Sequence, residues 1–172
     1  MPTIISGDGT ITGLTTTGIS SVQKLPAGTI LQVVQGTGAG LTAATTAYTS
    51  TSRATTCSVS ITPTSASSKI YVSYSAWWYP YDSSPTTSNQ IGMSGGIYRG
   101  ASAINGPFHW QLQANGAQSY TYYGMQSFVV LDTPSTTSAT TYSMQIFGWS
   151  GNPSTVVLRE TGGFIIAMEV AG

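Results

Sequence analysis

The stretch Val59-Ser60-Ile61-Thr62-Pro63-Thr64-Ser65-Ala66-Ser67-Ser68-Lys69-Ile70-Tyr71-Val72-Ser73-Tyr74 decides how this chain is read. Val59 and Ile61 alternate with Ser58 and Ser60, the period of a strand with one face in a core and the other in water. Pro63 fixes its own φ and carries no ladder donor, so pairing ends at Thr62-Pro63. Ser65 to Ser68 then cover a bend, and Ile70, Val72 and Tyr74 resume the alternation. Strand, corner, strand is the expected unit, and much of the chain after residue 28 repeats it.

Working outward, Thr29 to Gln35 forms the first convincing strand, and Gly36 to Gly40 breaks it. Thr42 to Thr56 reads as a loop or weak edge strand. The second strand of the opening unit runs on through Trp77, Trp78 and Tyr79 to Pro80, and residues 80 to 90 have loop composition. Further strands are expected at Ile91 to Tyr98, Phe108 to Gln113, Tyr120 to Leu131, Tyr142 to Trp149, Thr155 to Arg159 and Gly163 to Val170. Asn105-Gly106, Asn115-Gly116 and Gly151-Asn152-Pro153 are turn signals between them. The last strand puts Phe164, Ile166, Met168 and Val170 on one face, and Ile165, Ala167 and Glu169 on the other. No helical apolar stripe is present, so the class is all-β, with about eight to ten strands. The run Leu131 to Tyr142 repeats the Thr-Pro, small residues and aromatic restart of the opening corner. Two such corners suit an antiparallel two-sheet sandwich whose long strands turn over the same end.

Residues 1–27 differ from this body. Ile4, Ile5, Ile11, Leu14 and Ile19 are separated by Gly, Thr and Ser, with no helical period and only short strand signals. Such a segment buries too little surface to fold alone, and is ordered when held along another chain. The expected organisation is an extended N-terminal arm over 1–27 and a sandwich body over 28–172, with Lys24 to Gly28 as the hinge.

Composition narrows the function. The chain has 172 residues and 17.9 kDa, enough to bury a core without disulfides or metals. Charged residues make up 6%, against about 25% in an average soluble domain. Ser and Thr supply 51 of the 172 residues, so solubility rests on hydroxyls, and zero net charge leaves little repulsion between copies. No basic footprint for nucleic acid and no apolar run of membrane-spanning length is present. The N-terminus lacks the basic and apolar regions of a signal peptide, and the single Cys57 fits synthesis in a reducing cytosol.

Catalytic groups are few. His109, beside Trp110, and Cys57 are the only residues of their kinds, and the carboxylates are scattered without metal-ligand spacing. Asp82 and Asp132 lie in turn-like segments, and no nucleophile elbow is expected. Gly36 to Gly40 precedes no helix and is not a phosphate loop. No cofactor and no enzymatic activity are expected. Aromatic residues are the feature that could bind something, since an exposed Trp or Tyr offers a sugar ring an apolar face and a hydrogen-bonding edge. Trp77 and Trp78 point to opposite faces of their strand, so at most one is core. The contact candidates are Trp78, Tyr79, Tyr81, His109 and Trp110; the competing reading of these aromatics is core or intersubunit packing.

The blocks Val59 to Val72, Leu131 to Tyr142 and Phe164 to Val170, with Ile4 to Leu14 at the start, resemble a family of small bacteriophage virion proteins frequent in phages of marine and freshwater bacteria, including cyanobacteria. The similarity covers most of the chain, and members are usually tail fibres or structural proteins. The resemblance implies a homotrimer of β-sandwich or jelly-roll bodies, located in the virion after synthesis in the host cytoplasm. In it the arm, with Ile4, Ile5, Ile11, Leu14 and Ile19 as attachment residues, engages tail, baseplate or capsid protein, and loops face host surface polysaccharide. Two alternatives stand beside the short tail fibre: a capsid-decorating cement protein, and a free-standing carbohydrate-binding module.

Overall fold

The computed structural model describes residues 4–5, 11–12, 25–38, 54–82, 89–114, 124–148 and 156–172. All of its regular structure is strand. In the arm, β1 (Ile4–Ile5) pairs antiparallel with β2 (Ile11–Thr12); Leu14 and Ile19 lie outside the described residues. The body is built from β3 (Ile30–Thr37), β4 (Ala54–Ile61), β5 (Lys69–Asp82), β6 (Asn89–Arg99), β7 (Ser102–Ala114), β8 (Gly124–Asp132), β9 (Thr140–Gly148) and β10 (Val156–Val170).

These eight strands form two antiparallel four-stranded sheets, in the orders β3-β10-β5-β8 and β4-β9-β6-β7. First pairs with last, second with seventh, third with sixth and fourth with fifth, and the folded-over ribbon is a jelly roll. The expected all-β sandwich is thus the observed one. The opening unit crosses from one sheet to the other at residues 62–68, and the 133–139 corner crosses back at the same end.

The core follows the period-two pattern. Val59 and Ile61 of β4 are 3% and 2% exposed, while Ser58 and Ser60 between them face water. Ile70, Val72, Tyr74, Ala76 and Trp78 of β5 meet Tyr142, Met144 and Ile146 of β9, Ile97 of β6, Phe128 of β8, and Ile165 and Ala167 of β10. Both open edges of the sandwich are closed. At one, β3 approaches β4 so closely that a Cβ on Gly36 would strike the Ser58 carbonyl, and Gly38 bridges Cys57. At the other, Asn105 Nδ2 donates to the Val129 carbonyl (2.6 Å), and Phe108 stacks on Phe128 with ring centroids 5.5 Å apart.

Several boundaries differ from the sequence reading, each for a local reason. The two expected C-terminal strands are one, β10, with a register shift between Thr161 and Phe164 where the glycines fall. Asn105-Gly106 is not a turn: it lies inside β7, where the register against β6 slips and Gly106 takes a φ of 102°. The β6–β7 turn sits at Gly100, whose φ of 57° suits the tight reversal. Asn115-Gly116 and Gly151-Asn152-Pro153 lie outside the described residues.

One buried charge organises the corner. Glu169 of β10 is 0% exposed, and its Oε1 accepts from the Thr64 amide and hydroxyl, both at 2.7 Å. Oε2 accepts from Gln32 Nε2 of β3 at 2.6 Å, and the same Nε2 reaches the Thr62 carbonyl. Burial alone would raise the carboxyl pKa, but the hydrogen bonds from Gln32 and Thr64 outweigh it and hold the group below its usual range. Because the folded pKa lies below the unfolded one, the ionised carboxylate stabilises the fold above about pH 4.5, and this is lost as pH falls through the folded value. Glu169→Gln should cost about 2–4 kcal/mol at neutral pH, by leaving buried donors short of an acceptor. In urea titrations the gap to wild type should shrink below pH 4.5; a pH-independent gap would contradict this role.

Candidate functional site

The antiparallel alternation gives the body two unlike ends. Ile30, Ile61, Lys69, Arg99, Asp132, Thr140 and Val170 lie at one end, with the corners 62–68 and 133–139. The chain also enters and leaves there: Gly28 N donates to the Ala171 carbonyl and Ala171 N to the Thr29 carbonyl, each at 2.8 Å. A cleft of about 150 Å³ beside this junction is lined by Leu25, Leu31, Ser65, Ser67, Ala171 and Gly172, among others. At the opposite end lie Gly38, Ala54, Asp82, Asn89, Ala114, Gly124, Gly148 and Val156, the strand ends that flank residues 39–53, 83–88, 115–123 and 149–155.

The aromatic candidates sort themselves along this axis. Tyr79 and Tyr81 are on β5 opposite Arg159 and Val157, toward the end away from the termini. His109 and Trp110 are on β7 opposite Ser94 and Met93, toward the same end but in the other sheet. Their side chains lie outside the described part of the structure. Trp78 requires a correction. It is 3% exposed, its Nε1 donates to Tyr74 Oη at 2.7 Å, and its ring meets Tyr74 edge-on and lies 6.2 Å from Phe128. The indole fits because β6 has a glycine beneath it: a Cβ on Gly95 would lie 3.1 Å from Trp78 Cη2 and 2.7 Å from Met144 Cε. Trp78 is a core anchor with no surface to offer a ligand, and Trp77, 51% exposed, is the outward member of the pair.

Arg99, Asp132 and Tyr142 are engaged with one another. Asp132 Oδ2 accepts from Arg99 Nη1 (2.8 Å) and Tyr142 Oη (2.7 Å), tying β6, β8 and β9 together at the corner. Burial, reinforced by Asp132, pushes the Tyr142 phenol well above its usual pKa, so it stays a donor at any physiological pH. Cys57 is buried against the core, and Thr56 Oγ1 donates to its Sγ at 3.8 Å. Against the expectation that the Gly-x-Ser-x-Gly pattern is missing, Gly92-Met93-Ser94-Gly95-Gly96 has that spacing, but it runs through the middle of β6, and Ser94 is 0% exposed. A strained strand-to-helix turn, the context that exposes such a serine, is absent at this position. Among the described residues no group of three or more His, Cys, Asp or Glu side chains could hold a metal.

What the sequence reading did not single out is the outer face of the β3-β10-β5-β8 sheet. In register across the four strands, Val33, Met168, Tyr71 and Leu131 form one row, and Gln35, Ile166, Ser73 and Val129 the next. Trp77 pairs with Met125 beyond them. Val33, Trp77, Met125, Val129 and Leu131 are each more than half exposed. The only hint in the sequence is that both alternating sets of β10 are apolar. No protein-family model matches the chain, and no curated protein matches it.

Trp78→Ala should cost about 3–5 kcal/mol, the usual penalty for emptying a buried aromatic site. Denaturant unfolding followed by far-UV circular dichroism measures it. A loss below about 1 kcal/mol would put Trp78 outside the core.

Proposed function

We propose that this chain is a structural protein of a bacteriophage particle: a short trimeric fibre or appendage, anchored through its N-terminal arm and presenting the far end of its jelly roll to the host surface. The observation that carries this reading is the polarity of the body. The arm joins at the end where the body begins at Gly28, where Ala171 lies and where the tight corners sit, and the four other connections start from strand ends on the opposite side. A protein that holds a particle at one end and touches a cell at the other needs this separation. The resemblance of residues 4–14, 59–72, 131–142 and 164–170 to phage virion proteins points the same way.

In this role residues 1–27 dock on tail or baseplate protein. Tyr79, Tyr81, His109 and Trp110 stand at the end facing the host, and the ligand class is surface polysaccharide, stacked on aromatic rings. Three copies on one axis would multiply weak single contacts by avidity.

The test has two arms. Mass spectrometry of purified particles should find the chain at a copy number that matches the tail. A copy number matching the capsid lattice would assign it to head decoration, and absence from the particle would overturn the reading. Purified chain added to host cells should then block phage adsorption, and Tyr81→Ala with Trp110→Ala should weaken that block. Full block by the double variant would remove these residues from the contact.

A further inference from the structure

We propose that the outer face of the β3-β10-β5-β8 sheet is a self-association surface, covered in the working protein by further copies of this same chain. The inference takes its biological sense from the assembling role above, but its evidence is the composition and extent of this face.

The two outer faces of the sandwich are built from different chemistry. On the β4-β9-β6-β7 sheet, Ser58 lies opposite Ser143 and Ser60 opposite Thr141, with Ser60 Oγ and Thr141 Oγ1 hydrogen-bonded at 2.7 Å. Gln145 Nε2 reaches Ser143 Oγ and the Gly100 carbonyl beside them. Ser58, Ser60 and Thr141 there face water, while Ser143 and its cross-strand neighbour Tyr98 are covered. On the β3-β10-β5-β8 sheet the same outward positions carry Val33, Phe164, Ile166, Met168, Tyr71, Trp77, Met125, Val129 and Leu131. The chain holds 51 Ser and Thr residues, so hydroxyls are plentiful, and their thinning on one face of one sheet is a local feature. A sheet facing water normally alternates apolar-in with polar-out. On β8 three of the four outward residues (Met125, Val129 and Leu131, with Ser127) are apolar, against two of the four inward ones (Phe128 and Val130, with Gln126 and Asp132).

The extent is right for an interface. Four strands about 4.8 Å apart, with eight residues of β3 at about 3.3 Å each, span roughly 500 Å² of flat area. Side-chain relief carries the accessible area toward the roughly 800 Å² per partner of a standard stable interface. The apolar share of this face, interrupted by Gln35, Ser73, Ser75 and Ser127, is concentrated at Val33, Met168, Tyr71, Leu131, Val129, Trp77 and Met125.

Charge identifies the occupant as another copy. Among the described side chains of this face the only ionic group is Lys69, at the rim where the chain ends meet. Among the described side chains a nucleic acid, an acidic peptide or an anionic lipid surface would find one lysine at the rim and no cluster of positive charge. A second copy meets no like-charge repulsion across the face, and the chain as a whole carries no net charge. A mostly apolar face with its one described charge at the rim, whose rows include Ser75 and Ser127 hydrogen-bonded to each other at 3.0 Å, is complementary to itself.

The experiment is the mass of the full chain in solution, by analytical ultracentrifugation and native mass spectrometry, with three variants. Wild type should sediment as an oligomer. Val129→Lys, midway along the edge strand β8 of this face, should sediment as a single chain at concentrations where wild type stays assembled, while keeping its strand circular dichroism and cooperative unfolding. Met125→Lys repeats the test at the far end of the face and decides the matter if Val129→Lys does not fold. Ser58→Lys, on the polar face, should leave the oligomer unchanged. A monomeric wild type, an oligomer indifferent to the lysines at 129 and 125, or equal disruption by Ser58→Lys would each overturn the inference. None of these results bears on whether the chain is in the particle, which its copy number there reads separately.

Discussion

The meeting of the first body strand, the last strand and the 62–68 corner depends on one carboxylate. Glu169 comes from the last strand, Gln32 from the first strand of the body, and Thr64 from the corner between the second and third. A charge with no solvent exposure is costly unless its acceptor sites are filled, and here they are filled by donors from two other, distant parts of the chain. The group therefore stabilises only the arrangement in which the start of the body, the end of the chain and the crossing corner have met. In a chain with so few charges, placing one of them inside is a strong constraint on register. Slipping β10 by one residue would turn Glu169 outward and leave the Thr64 amide without its acceptor.

The second constraint is steric. Trp78 can point inward because Gly95 leaves room above Met144, and β3 can close against β4 because Gly36 has no side chain. Each glycine allows one close approach between elements, and together they fix the parity of β5 and the closure of the sandwich edge. With that parity set, Trp77, Tyr71 and Ser73 must face outward, and β8 and β10 bring Val129, Leu131, Met168 and Ile166 alongside them. The apolar outer face thus follows from the same packing that builds the core.

The alternation at Val59 to Tyr74 and the echo at Leu131 to Tyr142 were enough to read the class, the corners and their shared end, because period two and a Thr-Pro break are local properties. That Trp77 and Trp78 oppose each other was equally legible. Which of them is inside was not, since the deciding residue, Gly95, is on a neighbouring strand. The same limit hid the face of β10. Both of its sets are apolar, and the inward one is the set carrying Glu169, contrary to what hydropathy alone suggests. Asn105-Gly106 misled for a related reason: the pair fits a two-residue turn, but Asn105 is committed to Val129 across the sandwich edge, and the glycine serves a register slip within β7.

The outer face can be read directly through Met125, which is 61% exposed on a single chain, with buried Met144 as the internal control. Brief peroxide treatment of the assembled full-length protein, followed by peptide mass spectrometry, measures how fast each thioether becomes a sulfoxide. A face covered by other copies gives slow oxidation at Met125 in wild type and fast oxidation in Val129→Lys, with Met144 slow in both. Met125 oxidising as fast in wild type as in the variant would contradict a covered face, and with it the view of this jelly roll as an assembling body.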